Sequence, residues 1–150
     1  MTVGAICKRN VVVAPRGEAI VDAAKRMRMF HVGDVVVIED RGDMRVPVGI
    51  LTDRDIVLSV VASDPDHLSS LLVSDVMSSE LVSAPEDTSL VDALKLMQEH
   101  GIRRLPIVKQ DGALAGIVTF DDAVRFLAGE LGDLVKLMAR EEKTEQQYRV

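Results

Sequence analysis

Short apolar runs, separated by polar turns, divide the first sixty residues into strands and helices. The run Val35–Ile38 is apolar, β-branched and too short for a helix, which predicts a buried strand. Val11–Val13 and Val46–Leu51 predict two more strands. Between and after them, apolar residues recur at helical spacing, first at Ile20, Ala23, Ala24, Met27 and Phe30, and then at Ile56, Val57, Val60 and Val61. The predicted order is strand, helix, strand, strand, helix.

The second half of the chain follows the same order. A helix with possible caps at Glu86–Ser89 ends at Gly101, and the strands Leu105–Val108 and Leu114–Val118 flank a turn at Asp111-Gly112. Residues 64–73 join the halves and predict a short helix. Because a parallel strand–helix–strand step favours a right-handed crossover, we expect each half to form a small sheet with helices on one face. The fold class is α/β.

The two halves are copies of one unit. Residues 49–55 read Gly-Ile-Leu-Thr-Asp-Arg-Asp and residues 116–122 read Gly-Ile-Val-Thr-Phe-Asp-Asp. Earlier matches, such as Ala14-Pro15 with Ala84-Pro85, are offset by 70 positions, and an insertion near 44–46 reduces the offset to 67. A unit of about 60 residues has a marginal core by itself, so we expect the copies to pack together. The boundaries follow as 1–63 for the first unit, 64–73 for a linker, 74–130 for the second unit and 131–150 for a C-terminal helix and tail.

The C-terminal segment continues the helical pattern beyond the repeat. Residues 121–138 carry an apolar stripe, for which we expect packing on the protein's own core or a dimer contact. The sequence becomes polar after Ala139, which predicts frayed residues from 140 to 150. The stripe consists of Val124, Leu127, Leu131, Leu134 and Met138.

Composition and charge exclude several classes of function. The net charge of −6 argues against nucleic-acid binding, which needs a basic surface to neutralise phosphates. One cysteine excludes an internal disulfide and suits a reducing compartment, and the three histidines have no metal-ligand spacing. Since the sequence has neither a run of about 18 apolar residues nor a signal-peptide pattern, we expect a cytoplasmic protein that does not enter the membrane.

The repeated Gly-x-x-Thr-x-x-Asp motif has two possible roles. Thr52 ends a strand just before a helix, and Asp55 lies three residues later, as in a capping box that satisfies free backbone amides. Alternatively, the hydroxyl and the free amides face an anion while the carboxylate accepts bonds from adjacent sugar hydroxyls. The spacing alone leaves both roles open.

Taken with the duplicated five-element unit, this motif resembles a tandem cystathionine-β-synthase (CBS) domain pair, also called a Bateman module, over residues 3 to 128. The resemblance implies two pseudo-symmetric β-α-β-β-α units packed sheet to sheet, with clefts that bind AMP, ADP, ATP, NAD or S-adenosylmethionine. It also implies ribose and phosphate contacts from Thr52 and Asp55 in one cleft and from Thr119 and Asp122 in the other. The adenine edge would meet backbone groups near Val12 to Ala14 and Val82 to Ala84, with Val13, Ala14, Ser83 and Ala84 as the candidate residues.

The basic residues that would hold phosphate differ between the copies. Arg103 and Arg104 precede a strand of the second copy, where the first copy has Gly33 and Asp34. Relatives place a basic phosphate contact at the position of Arg54, where the second copy has Asp121. We therefore expect two unequal sites, with Arg103 and Arg104 serving one copy and Arg54 the other. The alternative is that the two arginines lie in solvent at the start of the strand and form ion pairs with acidic residues.

No arrangement of residues predicts catalysis. The adjacent acids of each motif do not face one another on a helix, and the chain has no Walker-type or Rossmann glycine pattern. We therefore expect no enzyme and no catalytic cofactor, but a stand-alone homodimeric sensor that passes its ligand state to a separate effector protein. The alternative is an interaction scaffold whose motifs only cap helices.

Overall fold

The computed structural model describes residues 1–149, and its chain divides into two compact units, Met1–Val118 and the residues from Thr119 onward. The first unit contains two three-stranded sheets and short helices, and the second is a single long helix. The elements are α1 (Val3–Ile6), β1 (Val13–Pro15), α2 (Ile20–Phe30), β2 (Asp34–Arg41), β3 (Met44–Thr52), α3 (Asp53–Ile56), α4 (Val73–Val76), β4 (Ala84–Pro85), α5 (Leu90–His100), β5 (Arg104–Val108), β6 (Leu114–Thr119) and α6 (Phe120–Tyr148).

The two sheets share one plan, which confirms the predicted mixed α/β fold. Their strand orders are β1-β2-β3 and β4-β5-β6, and the first two strands of each are parallel. The hairpin of β2 and β3 is longer than that of β5 and β6, because the first copy carries the insertion. Its pairing shifts register between Val37 and Ile38, where β3 accommodates one extra residue.

Apolar contacts join the sheets. Val36 and Ile38 of β2 form one buried cluster with Ile117 of β6, while each copy also has its own core beneath its helices. The predicted packing of sheet on sheet is therefore present. Burial of both sheet faces explains why the β2 run Val35–Ile38 is apolar without alternation.

The segments that precede β1 and β4 are exchanged between the copies. Val3 of α1 is fully buried in the core of the second copy, and Val73 of α4 is fully buried in that of the first. Backbone pairing follows the same exchange, since Lys8 bonds to Ile117 in both directions and Ser78 to Ile50. Contacts therefore cross the division at 63 and 74, and Met1–Val118 form one compact unit.

Two local expectations differ from the structure. The first strand lies at Val13–Pro15 instead of 11–13, and the second helix of the first copy continues from α3 as a π-helix over Val57–Val61. The joining segment contains the expected short helix, a 3₁₀ helix over Pro65–His67, before α4. Neither α1 nor α4 has the length over which a helical period can be recognised in sequence.

The C-terminal unit also departs from the prediction, because α6 continues to Tyr148 where fraying was expected after Ala139. Residues 139–148 are mostly good helix formers, and the Thr144 hydroxyl donates to the Arg140 carbonyl within the helix. The residues of the predicted stripe remain exposed, with exposed fractions of 47% for Val124, 42% for Leu127, 63% for Leu131, 58% for Leu134 and 61% for Met138.

Candidate functional site

Thr52 and Asp55 form the capping box that their spacing allows. The Asp55 amide donates to Thr52 Oγ1 at 3.1 Å, and the Thr52 amide donates to Asp55 Oδ2 at 2.9 Å. The other carboxylate oxygen, Oδ1, has no hydrogen-bond partner within residues 1–149. The aspartate is thus fixed in position by one oxygen and keeps a second oxygen for another donor.

The glycine of the motif is required by a close approach. A Cβ on Gly49 would lie 2.7 Å from the Ser78 carbonyl oxygen and 2.8 Å from Met77 Sδ, because the exchanged segment crosses β3 at this point. The Ser78 amide donates to the Ile50 carbonyl at 2.9 Å, and the Ile50 amide donates to the Ser78 carbonyl at 3.2 Å. Gly49 therefore lets a segment of the second copy reach the site of the first.

A cavity of about 280 Å³ lies beside this crossing. It brings together three parts of the first unit: the end of β3 with the start of α3, the segment after α4, and the turn from α5 into β5. The residues that line it are Ile50, Thr52, Asp55, Ser78, Glu80, Leu81, Val82, Gly101, Ile102, Arg103 and Arg104. Apolar groups, a hydroxyl–carboxylate pair and two guanidinium groups converge there, as is typical of small-molecule sites.

The distribution of the cations differs from the expectation. Arg103 and Arg104 line the cavity of Thr52 and Asp55, which belong to the other copy, whereas Arg54 is exposed and is not among the lining residues. The packing of the two copies on each other places the start of β5 from one copy beside the end of β3 from the other. Arg104 Nε also donates to Asp34 Oδ1 at 2.6 Å, so the acid-paired alternative holds for this arginine.

The prediction for the adenine edge agrees only in part with the residues that line this cavity. Val13, Ala14, Ser83 and Ala84 do not line this cavity, and Ala14 and Ala84 are buried in the cores. Val82, the first residue of the predicted range in the second copy, does line it, as does the neighbouring Leu81. Sequence reasoning missed Ser78 and Glu80; the repeated glycine was the available signal for the former, since it marks where another backbone passes.

The second motif lies at the start of the C-terminal unit. The Asp122 amide donates to Thr119 Oγ1 at 3.1 Å, and the Thr119 hydroxyl donates to Asp122 Oδ2 at 2.7 Å. Thr119 therefore caps α6 as Thr52 caps α3. Unlike Thr52, it also donates its hydroxyl hydrogen to the carboxylate of its own motif. The two copies of the motif differ in hydrogen bonding as well as in sequence.

Cys7, which approaches Gly116, is the chain's single thiol. Burial raises the pKa of this thiol above its ordinary value, partly opposed by the charge of Arg9. A nucleophilic cysteine needs the opposite shift. Among residues 1–149 no cluster of His, Cys, Asp and Glu side chains is arranged to hold a metal ion, and no helix there is long and apolar enough to cross a bilayer.

Comparison with known proteins gives a consistent set of relatives. The chain is 43% identical over 122 residues to the CBS domain-containing protein YhcV of Bacillus subtilis, covering 81% of this chain and 82% of the relative. It is 37% identical over 127 residues to an uncharacterized protein of Methanopyrus kandleri, covering 83% of this chain but only 62% of that relative. Among solved structures, the CBS domain pair of protein MJ0100, in complex with 5′-methylthioadenosine and S-adenosyl-L-methionine, matches in fold with a TM-score of 0.75 at 23% identity, over 87% of this chain and 98% of that one.

A family model described as "CBS domain" matches residues 3–62 and 73–129. Each match begins with the short helix that the structure exchanges between copies and includes one Gly-x-x-Thr-x-x-Asp motif. The chain belongs to the CBS-domain family and contains a tandem pair of these domains.

Proposed function

We propose that this CBS pair is a non-catalytic sensor that binds an adenosine-containing ligand and regulates a separate protein. The observation that carries the proposal is the convergence of Thr52 and Asp55 with Arg103 and Leu81 in one cavity, although they come from different copies. Groups suited to a ribose, a phosphate and an adenine ring are then within one site. The fold likeness to a CBS pair solved with two adenosine derivatives supports the ligand class.

Four residues of the cavity have a defined role in this proposal. Asp55 Oδ1 accepts from a ribose hydroxyl, while the capping bond to Oδ2 keeps the carboxylate in place. Arg103, at the exposed entrance, binds a phosphate oxygen through its planar set of donors. The apolar side chains of Leu81 and Ile102 enclose the adenine. AMP, ADP, ATP, NAD and S-adenosylmethionine share the adenosine part.

Calorimetric titration with these ligands tests the proposal, using wild-type protein and Asp55→Ala. We expect binding by the wild type, loss of binding in the variant, and weaker binding of a 2′-deoxy analogue by the wild type. Asp75→Ala is the matched control, because Asp75 Oδ2 accepts from the Leu72 amide at 2.8 Å in an equivalent capping bond away from the cavity. Failure of every adenosine ligand to bind the wild type would refute the proposal.

The capping bonds favour a second function, an interaction scaffold in which the motifs only stabilise helices. Under this alternative, Asp55→Ala and Asp75→Ala have the same consequence, a loss of about 1 kcal/mol of stability per cap. Neither change alters a ligand response. The two functions are therefore separated by the ligand titration of these two variants, with their melting temperatures as the internal measure of the capping loss.

We also propose that the protein is a homodimer. The exposed apolar residues of α6 follow alternating steps of three and four, which is the spacing of a helix that packs along another helix. They are Val124, Leu127, Leu131, Leu134 and Met138. A second copy offers an identical stripe. Ligand binding then regulates the effector protein to the extent that the ligand prefers one arrangement of the dimer over another.

A further inference from the structure

Arg104 and Asp34 occupy the same position in the two copies and are paired with each other. Their numbers differ by 70, the offset of the repeat in this region. Arg104 Nε donates to Asp34 Oδ1 at 2.6 Å, and the side chains are only 34% and 16% exposed. A charge-assisted bond that is partly withdrawn from water is less screened than a surface ion pair. The guanidinium group of Arg104 is therefore already neutralised by the protein.

The surroundings of this pair add more negative charge. Gly33 lies between Arg104 and Asp53: a Cβ at this glycine would be 3.5 Å from Arg104 Nη2 and 3.1 Å from Asp53 Oδ2. The cavity itself is lined by two further acids, Asp55 and Glu80. A ligand with several phosphates would bring its charge close to these carboxylates. It would also have to compete with Asp34 for Arg104.

We infer that Asp34 determines how many phosphates the ligand can carry, by competing with them for Arg104. The inference rests on the proposed binding of an adenosine ligand and assigns a residue that the binding motif does not contain. Asp34 does not line the cavity; it acts as a positioning residue through Arg104. The wild-type pocket accordingly binds adenosine ligands with few or no phosphates better than it binds a triphosphate.

The variant Asp34→Asn tests the inference, because asparagine keeps a hydrogen-bond acceptor for Arg104 and removes the charge. Affinities for adenosine, AMP and ATP are measured by calorimetry at low ionic strength, and the ratio of ATP to adenosine affinity is compared between proteins. We expect this ratio to rise about tenfold in the variant, the effect of one partly buried charge interaction. The adenosine affinity itself stays unchanged.

Two further variants exclude a merely structural effect. Asp40→Asn makes the same change of charge on the same strand β2, at about 20 Å along the strand, and leaves the ratio unchanged. The double variant Asp34→Asn/Arg104→Gln loses the gain, because no guanidinium group is released. A loss of folding alone lowers all affinities together and does not move the ratio.

The outcomes separate the inference from the function on which it rests. If wild type and Asp34→Asn bind adenosine but show the same ratio of ATP to adenosine affinity, the inference is overturned and the proposed function stands. If neither protein binds any of the three ligands, both are overturned. A wild type that binds ATP much more tightly than adenosine also overturns the inference.

Discussion

The substitution Gly49→Ala tests the exchange of segments at its tightest point. The added methyl group would lie 2.7 Å from the Ser78 carbonyl oxygen and 2.8 Å from Met77 Sδ. The methionine side chain can move aside, but the carbonyl is backbone held by the paired hydrogen bonds between Ser78 and Ile50. The crossing segment must therefore shift away from β3, which lengthens these two bonds.

The expected cost follows from those contacts. Overpacking by one methyl group in a close-packed region costs about 1–3 kcal/mol. Weakening the two hydrogen bonds costs at most about 0.5–1.5 kcal/mol for each bond. The lower conformational entropy of the unfolded chain with alanine offsets about 0.4–1 kcal/mol of this loss. We expect a net loss of about 2–3 kcal/mol in the free energy of unfolding, or about 4–12 °C in melting temperature for a chain of this size.

Urea unfolding followed by circular dichroism measures this loss. Gly17→Ala is the matched control: a Cβ there meets no atom within 4 Å, its φ is not left-handed, and we expect no loss. Gly116→Ala should behave like Gly49→Ala, since its Cβ would lie 2.7 Å from Cys7 Sγ and 2.8 Å from the Lys8 carbonyl oxygen. A Gly49→Ala protein within about 0.5 kcal/mol of wild type would contradict the close approach.

Three further predictions concern groups outside the cavity. Because burial raises the pKa of the Cys7 thiol, the single cysteine should react with a disulfide reagent at pH 7.5 more slowly than it does in urea-unfolded protein; equal rates would contradict its burial. The hydrogen bond that His67 donates to the Asp64 carboxylate, together with the charge of that carboxylate, raises the pKa of His67. This pair therefore stabilises the fold below the ordinary histidine value near 6.5, and the contribution disappears as the pH rises through the raised pKa. Proton NMR titration should show the shift in wild type and its loss in Asp64→Asn. Sedimentation velocity should show a dimer for wild type and Gln146→Glu but a monomer for Leu131→Glu; a dimer in the last variant would exclude the α6 stripe as the contact.

The elements that the sequence predicted correctly are those whose burial repeats with a clear period. Helix α5 is an example, since Leu90 and Met97 fall on one face and Gly101 ends the helix in a left-handed conformation. The strand β2 is another, because both of its faces are covered and its sequence is continuously apolar. The short helices α1 and α4 were missed, since their four residues are stabilised by burial against the opposite copy.

The candidate site was predictable only in part. The repeated motif identified Thr52 and Asp55 because hydroxyl and carboxylate at this spacing have a local geometric meaning. The contribution of Ser78 and Glu80 depends on a crossing of distant segments, which leaves no local pattern at those two residues.

By itself, the sequence determined the duplication, the order of the longer elements and the chemical types in the motif, because these depend on periodicity and on contacts a few residues apart. Only the tertiary structure decided which copy serves which site. Arg103 and Arg104 lie at the motif of the other copy, and Arg104 pairs with Asp34, 70 residues away. Such partners are selected by the packing of the two copies on each other, and no spacing along the chain encodes that packing.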